Sequence, residues 1–335
     1  MTSQAPAEPI ALPATTLAPR RHVLDLDDFS RTEIDIVLDT ALAMREVLDR
    51  DIKKVPSLRG KVILTLFLEP STRTRVSFEQ AGKMLSADVI NIAGSGSSAE
   101  KGESLLNTTL TLQAMHADLI VVRHPQAGAP YFMARHLSRT GIINAGDGRH
   151  AHPTQALLDL MTMRRHLGSL DGKKVVIVGD LLHSRVARSN VFGLAAMGAR
   201  VVISGPPTLI PLDLSRTSHS QGSLGGAAYE PDLDAAMDDA DVVMALRLQT
   251  ERQTAGMLPS VREYTRRWQV TEARMGRAKP SALVMHPGPV NEGIELSSSL
   301  AHGVASVIEE QVTNGVAIRM AILYQLLTGG ELQTA

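Results

Sequence analysis

Beyond Lys61 the chain alternates short apolar runs with longer stretches of helical periodicity, and this alternation restricts the fold more than any other feature of the sequence. Parallel strands need crossovers between them, so strand and helix in turn predict parallel sheet. In the first half the apolar runs predict strands over Val62–Phe67, Val89–Ile92, Leu119–Val122 and Ile142–Asn144. Helices are expected over Arg31–Leu48, Arg73–Leu85, Ser104–Met115 and Tyr131–Leu137. The second half repeats the pattern, with strands over Lys174–Val178, Val201–Ser204, Val242–Leu246 and Leu283–His286, each running into a polar or Gly/Pro-containing loop. At 335 residues the chain can bury two cores of ordinary domain size. The helical pattern Pro153–His166 is expected to link the halves, and the apolar-rich Val304–Leu327 to return across the first. The fold class that follows is α/β: two domains, each a mainly parallel sheet flanked by helices, joined by interdomain helices.

Composition narrows the function. With 44% hydrophobic and 21% charged residues the profile is that of a soluble globular protein. A formal net charge of −1 argues against nucleic acid as a partner, because a duplex demands a broad basic field, so any anion binding must be local. The absence of cysteine excludes disulfides, thiolate metal sites and a cysteine nucleophile. No stretch approaches the roughly 18 apolar residues of a membrane span, and the Ala/Pro/Thr-rich residues 1–20 lack a signal-peptide core and read as a flexible arm. A cytoplasmic location is expected. The small-residue segments Gly94–Ser98 and Ser215–Gly226 are expected to be mobile loops.

Charged and hydroxyl residues gather where strands end. Glu69-Pro70-Ser71-Thr72-Arg73-Thr74-Arg75 lies between a strand and a helix, and three hydroxyls interleaved with two guanidiniums at a helix N-terminus make an anion cradle rather than a simple cap. Arg123 ends the next run, at the carboxyl edge where open α/β sheets collect ligands. Further on, Gly146–Gln155 leads from strand to helix. His150 and His152 could be metal ligands or structural histidines, but no third ligand lies at suitable spacing, and the reading preferred is that His152 and Gln155 face one cleft. Around Gly179 the glycine pattern of a dinucleotide fold is missing, and Arg185 at that helix start suggests a carboxylate or another small anion. Arg247, Gln249 and Glu251 alternate onto one side of an extended segment, which would also suit a solvated loop. His286-Pro287-Gly288-Pro289 makes a rigid turn able to present backbone carbonyls.

From about His22 to Leu327 the sequence resembles the carbamoyltransferase family, through STRTR with its following SFE, VVRHP, GDGRHAHPTQALLDL, GDLLHSRVARSN, LRLQTER and HPGPVNEGIEL, in that order. The last three resemble the aspartate-specific members; ornithine-specific relatives usually carry HCLP where this chain has HPGP. The resemblance implies transfer of a carbamoyl group from carbamoyl phosphate to L-aspartate, in pyrimidine biosynthesis, without metal or cofactor. It implies a carbamoyl-phosphate-binding domain of residues 21–152 plus 305–335, an aspartate-binding domain of residues 153–304, and a homotrimer with shared active sites.

Position by position, the resemblance assigns phosphate to Ser71, Thr72, Arg73 and Thr74, and the carbonyl oxygen to Thr74, Arg123 and His152. Gln155 and a backbone carbonyl near Pro287 would hold the carbamoyl NH2, with Gly288 and Pro289 bordering aspartate. Arg185 would take the α-carboxylate of aspartate, and Arg247 with Gln249 the side-chain carboxylate. Ser97 and Lys101 match a pair that reaches in from the adjacent subunit, while Glu69 and Arg252 match charged residues that close the domains without touching substrate. Two departures stand out: Gly288 replaces a common Leu or Ala, and Glu292 replaces a commonly basic residue, adding negative charge near the aspartate pocket. HSRVARSN and VMHPGP look closest to bacterial members that assemble with dihydroorotase or a dihydroorotase-like chain. The competing functions are transfer to another amine such as ornithine, a non-catalytic assembly subunit, and a nicotinamide dehydrogenase.

Overall fold

The computed structural model of the chain describes residues 20–93, 102–211, 226–249 and 257–329. Its first half holds β1 (His22–Val23), α1 (Arg31–Leu48), β2 (Val62–Phe67), α2 (Thr72–Met84), β3 (Asp88–Ala93), α3 (Leu105–Ala114), β4 (Leu119–His124), α4 (Ala129–His136) and β5 (Gly141–Asp147). After α5 (Pro153–Leu167) come β6 (Lys174–Val178), α6 (Arg185–Ala196), β7 (Arg200–Ser204), β8 (Ala228–Tyr229), α7 (Leu233–Met237) and β9 (Val242–Ala245). The chain continues through α8 (Val261–Trp268), α9 (Glu272–Met275), β10 (Leu283–Met285), α10 (Ser298–Ala301) and α11 (Ile308–Thr328).

The strands form two five-stranded sheets, ordered β1-β5-β4-β2-β3 and β10-β9-β6-β7-β8. Every strand pairing in both is parallel. Both faces of each sheet are covered, which explains the unbroken apolar runs in the sequence. Alternate residues go to opposite sides: Ile63, Val121, Val175 and Ile177 enter one large core, whereas Leu64 and Ile120, and Val176 and Val243, enter two smaller ones. The large core is continuous between the sheets through α5 and α11. α11 packs on α1, α2 and α5, and α5 on α6, so the two halves share buried helices rather than a loose linker. Each fully buried side chain such as Leu160 or Ile322 stabilises this joint by roughly 1.5–3 kcal/mol relative to exposure.

Serine caps set several helix starts. Ser30 closes a capping box with Glu33, and Ser71, Ser104 and Ser184 each accept from a backbone N–H in the first turn. In each sheet the chain reverses its winding direction once, between β2 and β4 in the first and between β6 and β9 in the second. The loops after those strands diverge and leave a crevice, the usual place for a ligand in such sheets. Among the described residues no helix is long and apolar enough to cross a membrane.

The structure departs from the expected elements at several points. β1 and β8 are two-residue edge strands, too short to carry a periodic signal. β5 extends to Asp147 because its polar end is internally satisfied: Asn144 donates to Asp147, and Gly146 N–H donates to Asn144. α11 begins at Ile308 rather than Val304, since Ala305 and Val307 exchange backbone hydrogen bonds with Val284 of β10. The expected loop Gly94–Ser98 and nearly all of Ser215–Gly226 lie outside the described residues.

Candidate active site

The loops at the two crevices face each other across a cleft of about 1290 Å³. From the first sheet it is lined by Glu69 to Thr74 after β2 and by Arg123 at the end of β4; from the second, by His183 to Val186 after β6 and by Arg247 and Gln249 after β9. Six arginines line it, Arg73, Arg123, Arg149, Arg185, Arg247 and Arg319, against one carboxylate, Glu69, among the described lining residues. Such an imbalance, in a chain of net charge −1, makes the cleft a local trap for anions.

α2 starts within the hydroxyl- and arginine-rich segment after β2. Ser71 caps the helix by accepting from Thr74 N–H at 3.4 Å, and Thr74 is buried while Thr72 and Arg73 stay exposed to the cleft. Arg73 lies directly over Gly288, where an added Cβ would come within 1.7 Å of a guanidinium nitrogen. The missing side chain at Gly288, whose φ is +67°, therefore gives Arg73 its resting place. Although Arg73 is exposed to the cleft, partial desolvation against the cleft wall, then the neighbouring Arg247, pulls its pKa below the ordinary value.

Glu69 lines the cleft and bridges its two sides. Its Oε1 accepts from Arg123 Nη2 at 2.8 Å and from Arg185 Nη2 at 2.7 Å, and its Oε2 accepts from Arg185 Nη1 at 2.9 Å. Arg185 is buried. Gly146, at φ +116°, allows this convergence, since a Cβ there would lie 2.9 Å from the Arg185 guanidinium carbon and 3.0 Å from Arg123 Nη1.

His152 ends the loop before α5 and is buried at the base of the cleft. Its backbone N–H donates to Ser189 Oγ at 2.9 Å, and Ser189 in turn donates to the buried Asp25. Burial, followed by Arg185, Arg123, Arg319 and Arg73, holds the imidazole well below its ordinary pKa, which keeps it neutral. Its Nδ1 is buried without a protein hydrogen-bond partner. His150 diverges: its Nδ1 lies 3.1 Å from Asp147 Oδ2 and its ring meets Tyr131 edge-on, so it does not join the cleft lining. No group of three or more histidine, aspartate or glutamate residues able to hold a metal ion occurs among the described residues.

Gln155, one turn into α5, lines the cleft and donates to Asp159. Across from it, Pro287, Gly288 and Pro289 line the cleft in a turn held by the His286 ring, whose Nδ1 accepts from Gly288 N–H at 2.8 Å. With that nitrogen accepting, the ring hydrogen is on Nε2, 3.3 Å from the buried Glu295. Gln249 donates to the His183 carbonyl at 3.2 Å, and the intervening Leu248 is buried in the second core, which sends Arg247 and Gln249 to the cleft together. Ser97, Lys101, Glu251 and Arg252 lie outside the described residues. Glu292 is not among the cleft lining and pairs with His302 at 3.1 Å.

Three residues of this neighbourhood carry no obvious motif. Arg319, on α11, is buried in the cleft wall with its guanidinium 5.1 Å from the Phe78 ring; burial, with Arg73 and Arg123, lowers its pKa to about 9 against the opposing pull of Asp159. Gln311 on the same helix and Asp159 on α5 are also buried. For Arg319 and Asp159 the signal in the sequence was a charged residue inside an apolar run, as in VAIRMAILY and ALLDLMTM; Gln311, among the polar neighbours of EEQVTN, carries no such signal.

Residues 21–165 match the family model described as aspartate/ornithine carbamoyltransferase, carbamoyl-P binding domain, and residues 171–326 match its Asp/Orn binding domain. The chain is 58% identical over 307 residues to the aspartate carbamoyltransferase catalytic subunit of Roseiflexus castenholzii, covering 92% of this chain and 95% of that one. Against the corresponding subunit of Desulfitobacterium hafniense identity is 52% over 311 residues, covering 93% and 97%. Among solved structures, aspartate transcarbamoylase from Trypanosoma cruzi in complex with N-(phosphonacetyl)-L-aspartic acid superposes with a TM-score of 0.81 at 32% identity, covering 92% and 97%. Ornithine carbamoyltransferase from Pyrococcus furiosus gives 0.82 at 29%, covering 94% and 99%. By its sequence, its paired parallel sheets and its full-length matches, the chain belongs to the aspartate/ornithine carbamoyltransferase family.

Proposed function

We propose that the chain transfers the carbamoyl group of carbamoyl phosphate to L-aspartate, giving N-carbamoyl-L-aspartate and phosphate, as a step of pyrimidine biosynthesis. The observation that carries this reading is the convergence, from both sheets, of arginines on one cleft around a neutral, buried His152. The two substrates bring one phosphate and two carboxylates, which is the charge the cleft is built to receive.

In this reading Ser71, Thr72, Arg73 and Thr74 hold the phosphate with hydroxyls, a guanidinium and the N-terminus of α2. Thr74, Arg123 and His152 surround the carbamoyl oxygen. The aspartate amine attacks the carbamoyl carbon, a C–N bond forms, and the C–O bond to phosphate breaks. Negative charge builds on the carbamoyl oxygen, where donors fixed in advance are worth most. The departing phosphate takes the amine proton, so no side-chain base is needed. Gln155 and the Pro287 carbonyl hold the carbamoyl NH2, with Gly288 and Pro289 beside the aspartate. Arg185 takes the α-carboxylate after release from Glu69, and Arg247 with Gln249 the side-chain carboxylate.

The reading favours aspartate over ornithine because a cationic side chain would meet Arg247 and a Gln249 amide rather than a carboxylate. A non-catalytic assembly role is disfavoured by the retention of Arg73, Thr74, Lys101, Arg123 and His152. The same reading divides the chain into a carbamoyl-phosphate domain of residues 21–152 plus 305–335 and an aspartate domain of residues 153–304. It also makes the active form a cytoplasmic homotrimer, in which Ser97 and Lys101 serve the neighbour's cleft and Arg252 supports closure, with dihydroorotase or a related chain as a further partner. Formation of N-carbamoyl-L-aspartate from carbamoyl phosphate and aspartate by the purified chain tests the central reading; absence of that product would overturn it.

A further inference from the structure

Asp159 follows Gln155 by one turn of α5 and is wholly buried. It accepts hydrogen bonds from three side-chain amides: Oδ1 from Gln155 Nε2 at 3.0 Å and Gln311 Nε2 at 2.7 Å, and Oδ2 from Asn190 Nδ2 at 2.8 Å. An ionised carboxylate can only accept, so each of these amides must turn its nitrogen inward. For Gln311 the result is checked at its other end, where Oε1 accepts from the backbone N–H of His286 at 3.0 Å, a group that can only donate. For Gln155 the result is that the carbonyl end is turned away from Asp159, on a side chain that lines the cleft. Burial pushes the Asp159 pKa up to about 7, against the smaller downward pull of the three amides and then Arg319.

We propose that Asp159 is the positioning residue for recognition of the carbamoyl NH2 group. Through Gln155 it presents a carbonyl acceptor to the cleft, and through Gln311 it pins the His286–Pro289 turn, whose backbone supplies the second acceptor. One buried carboxylate thus sets the polarity of both sides of the pocket, from α5 on one side and α11 on the other. The inference rests on the carbamoyl transfer reading and goes beyond it by naming what fixes the amide orientation. It explains why an acidic side chain stands wholly buried in the middle of α5.

The test is Asp159→Leu, which is similar in size and removes both acceptor oxygens; an asparagine could keep its oxygen toward Gln155 and Gln311 and turn its NH2 to Asn190, whose Oδ1 is buried without a protein hydrogen-bond partner. Without the carboxylate nothing holds the Gln155 nitrogen inward, and the amide is free to turn its NH2 toward the substrate NH2. The expected result is a fall of at least about 10-fold in kcat/KM for carbamoyl phosphate, the scale of a buried polar group left without its partner. Affinity for inorganic phosphate, which has no NH2, should change by less than about twofold. In a Gln155→Ala background the same substitution should add less than about twofold, because the two residues act as one unit. An unchanged kcat/KM, a parallel loss of phosphate affinity, or a full additional loss in the Gln155→Ala background would each overturn the proposal. Should Asp159→Leu not fold, Gln311→Met cuts the other arm and must give the same selective loss; wild-type kcat/KM in that variant also overturns it. The unaltered protein is the control: if it fails to carbamoylate aspartate, the transfer reading falls and this inference with it, whereas a normal control beside an unaffected variant removes this inference alone.

Discussion

Glu69, from the loop after β2, grips Arg185 at the start of α6 with both carboxylate oxygens, at 2.9 and 2.7 Å, and so ties one sheet's crevice to the other's. The same carboxylate reaches Arg123 at 2.8 Å. It therefore balances two guanidiniums that Gly146 allows to approach one another. Among the described residues Glu69 is the internal anion of the cleft, and a substrate carboxylate arriving at Arg185 would have to share or replace it.

Glu69→Gln should on this basis weaken the joint and misalign the site. The amide oxygen can take the place of Oε1 and still accept from both arginines, but the NH2 that replaces Oε2 is set against Arg185 Nη1. Stability should fall by about 1–3 kcal/mol, the cost of leaving a buried polar partner unmatched, measured by urea denaturation. Turnover should fall at least about 10-fold, while phosphate affinity should not weaken, since a negative charge has been removed. Unchanged turnover would show that the bridge has no part in aligning the site.

His152→Ala should lower turnover by up to roughly 10²-fold, with a smaller change in substrate affinity, because a donor to developing charge acts mainly in the transition state. The pH dependence follows from the sign of the shift. Burial and the surrounding arginines hold His152 below its ordinary pKa, so it is neutral in the folded chain near pH 7. Saturated turnover should show no limb near pH 6.5 that disappears with His152. Unfolded chains take up that proton below about 6.5, so His152 contributes a loss of stability as pH falls through that value.

Arg247→Ala should raise the aspartate requirement far more than the carbamoyl phosphate requirement. Only aspartate brings the second carboxylate, and loss of a charge-assisted pair costs about 1.5–3 kcal/mol. Steady-state kinetics with each substrate varied in turn measures this, and equal effects on both would place Arg247 elsewhere.

Arg73→Ala and Lys101→Ala chains should each be nearly inactive. If sites are shared around a head-to-tail trimer, dissociating and reassociating the two variants together creates interfaces with both residues intact. Activity above that of each variant treated alone is expected, and mixed trimers without it would exclude sharing through Lys101.

Much of this arrangement could be read from the residues. Runs such as Val175–Val178 announce strands because both faces of the sheet are covered, so every position is apolar. Arg73, Arg185 and Arg247 follow strand ends and Arg123 lies at the end of β4, where a charge interrupting an apolar run has to face a loop or a ligand. Asp159, Gln311 and Arg319 were harder to see, since each sits on a helix whose periodicity reports packing alone. Their meaning depends on side chains brought together from α5, α6 and α11. Glu69 was legible as a charged residue near the cleft, but its grip on two arginines depends on the distance between two sheets, which no local pattern encodes.

On the proposed function, Arg185 and Arg247 select an anionic amine acceptor. The direct measurement is the ratio of kcat/KM for aspartate to that for ornithine, with carbamoyl phosphate saturating. A site whose polar groups would be left mispaired by the wrong substrate should favour aspartate by at least about 10³-fold. Equal use of the two amines, or a preference for ornithine, would contradict the account.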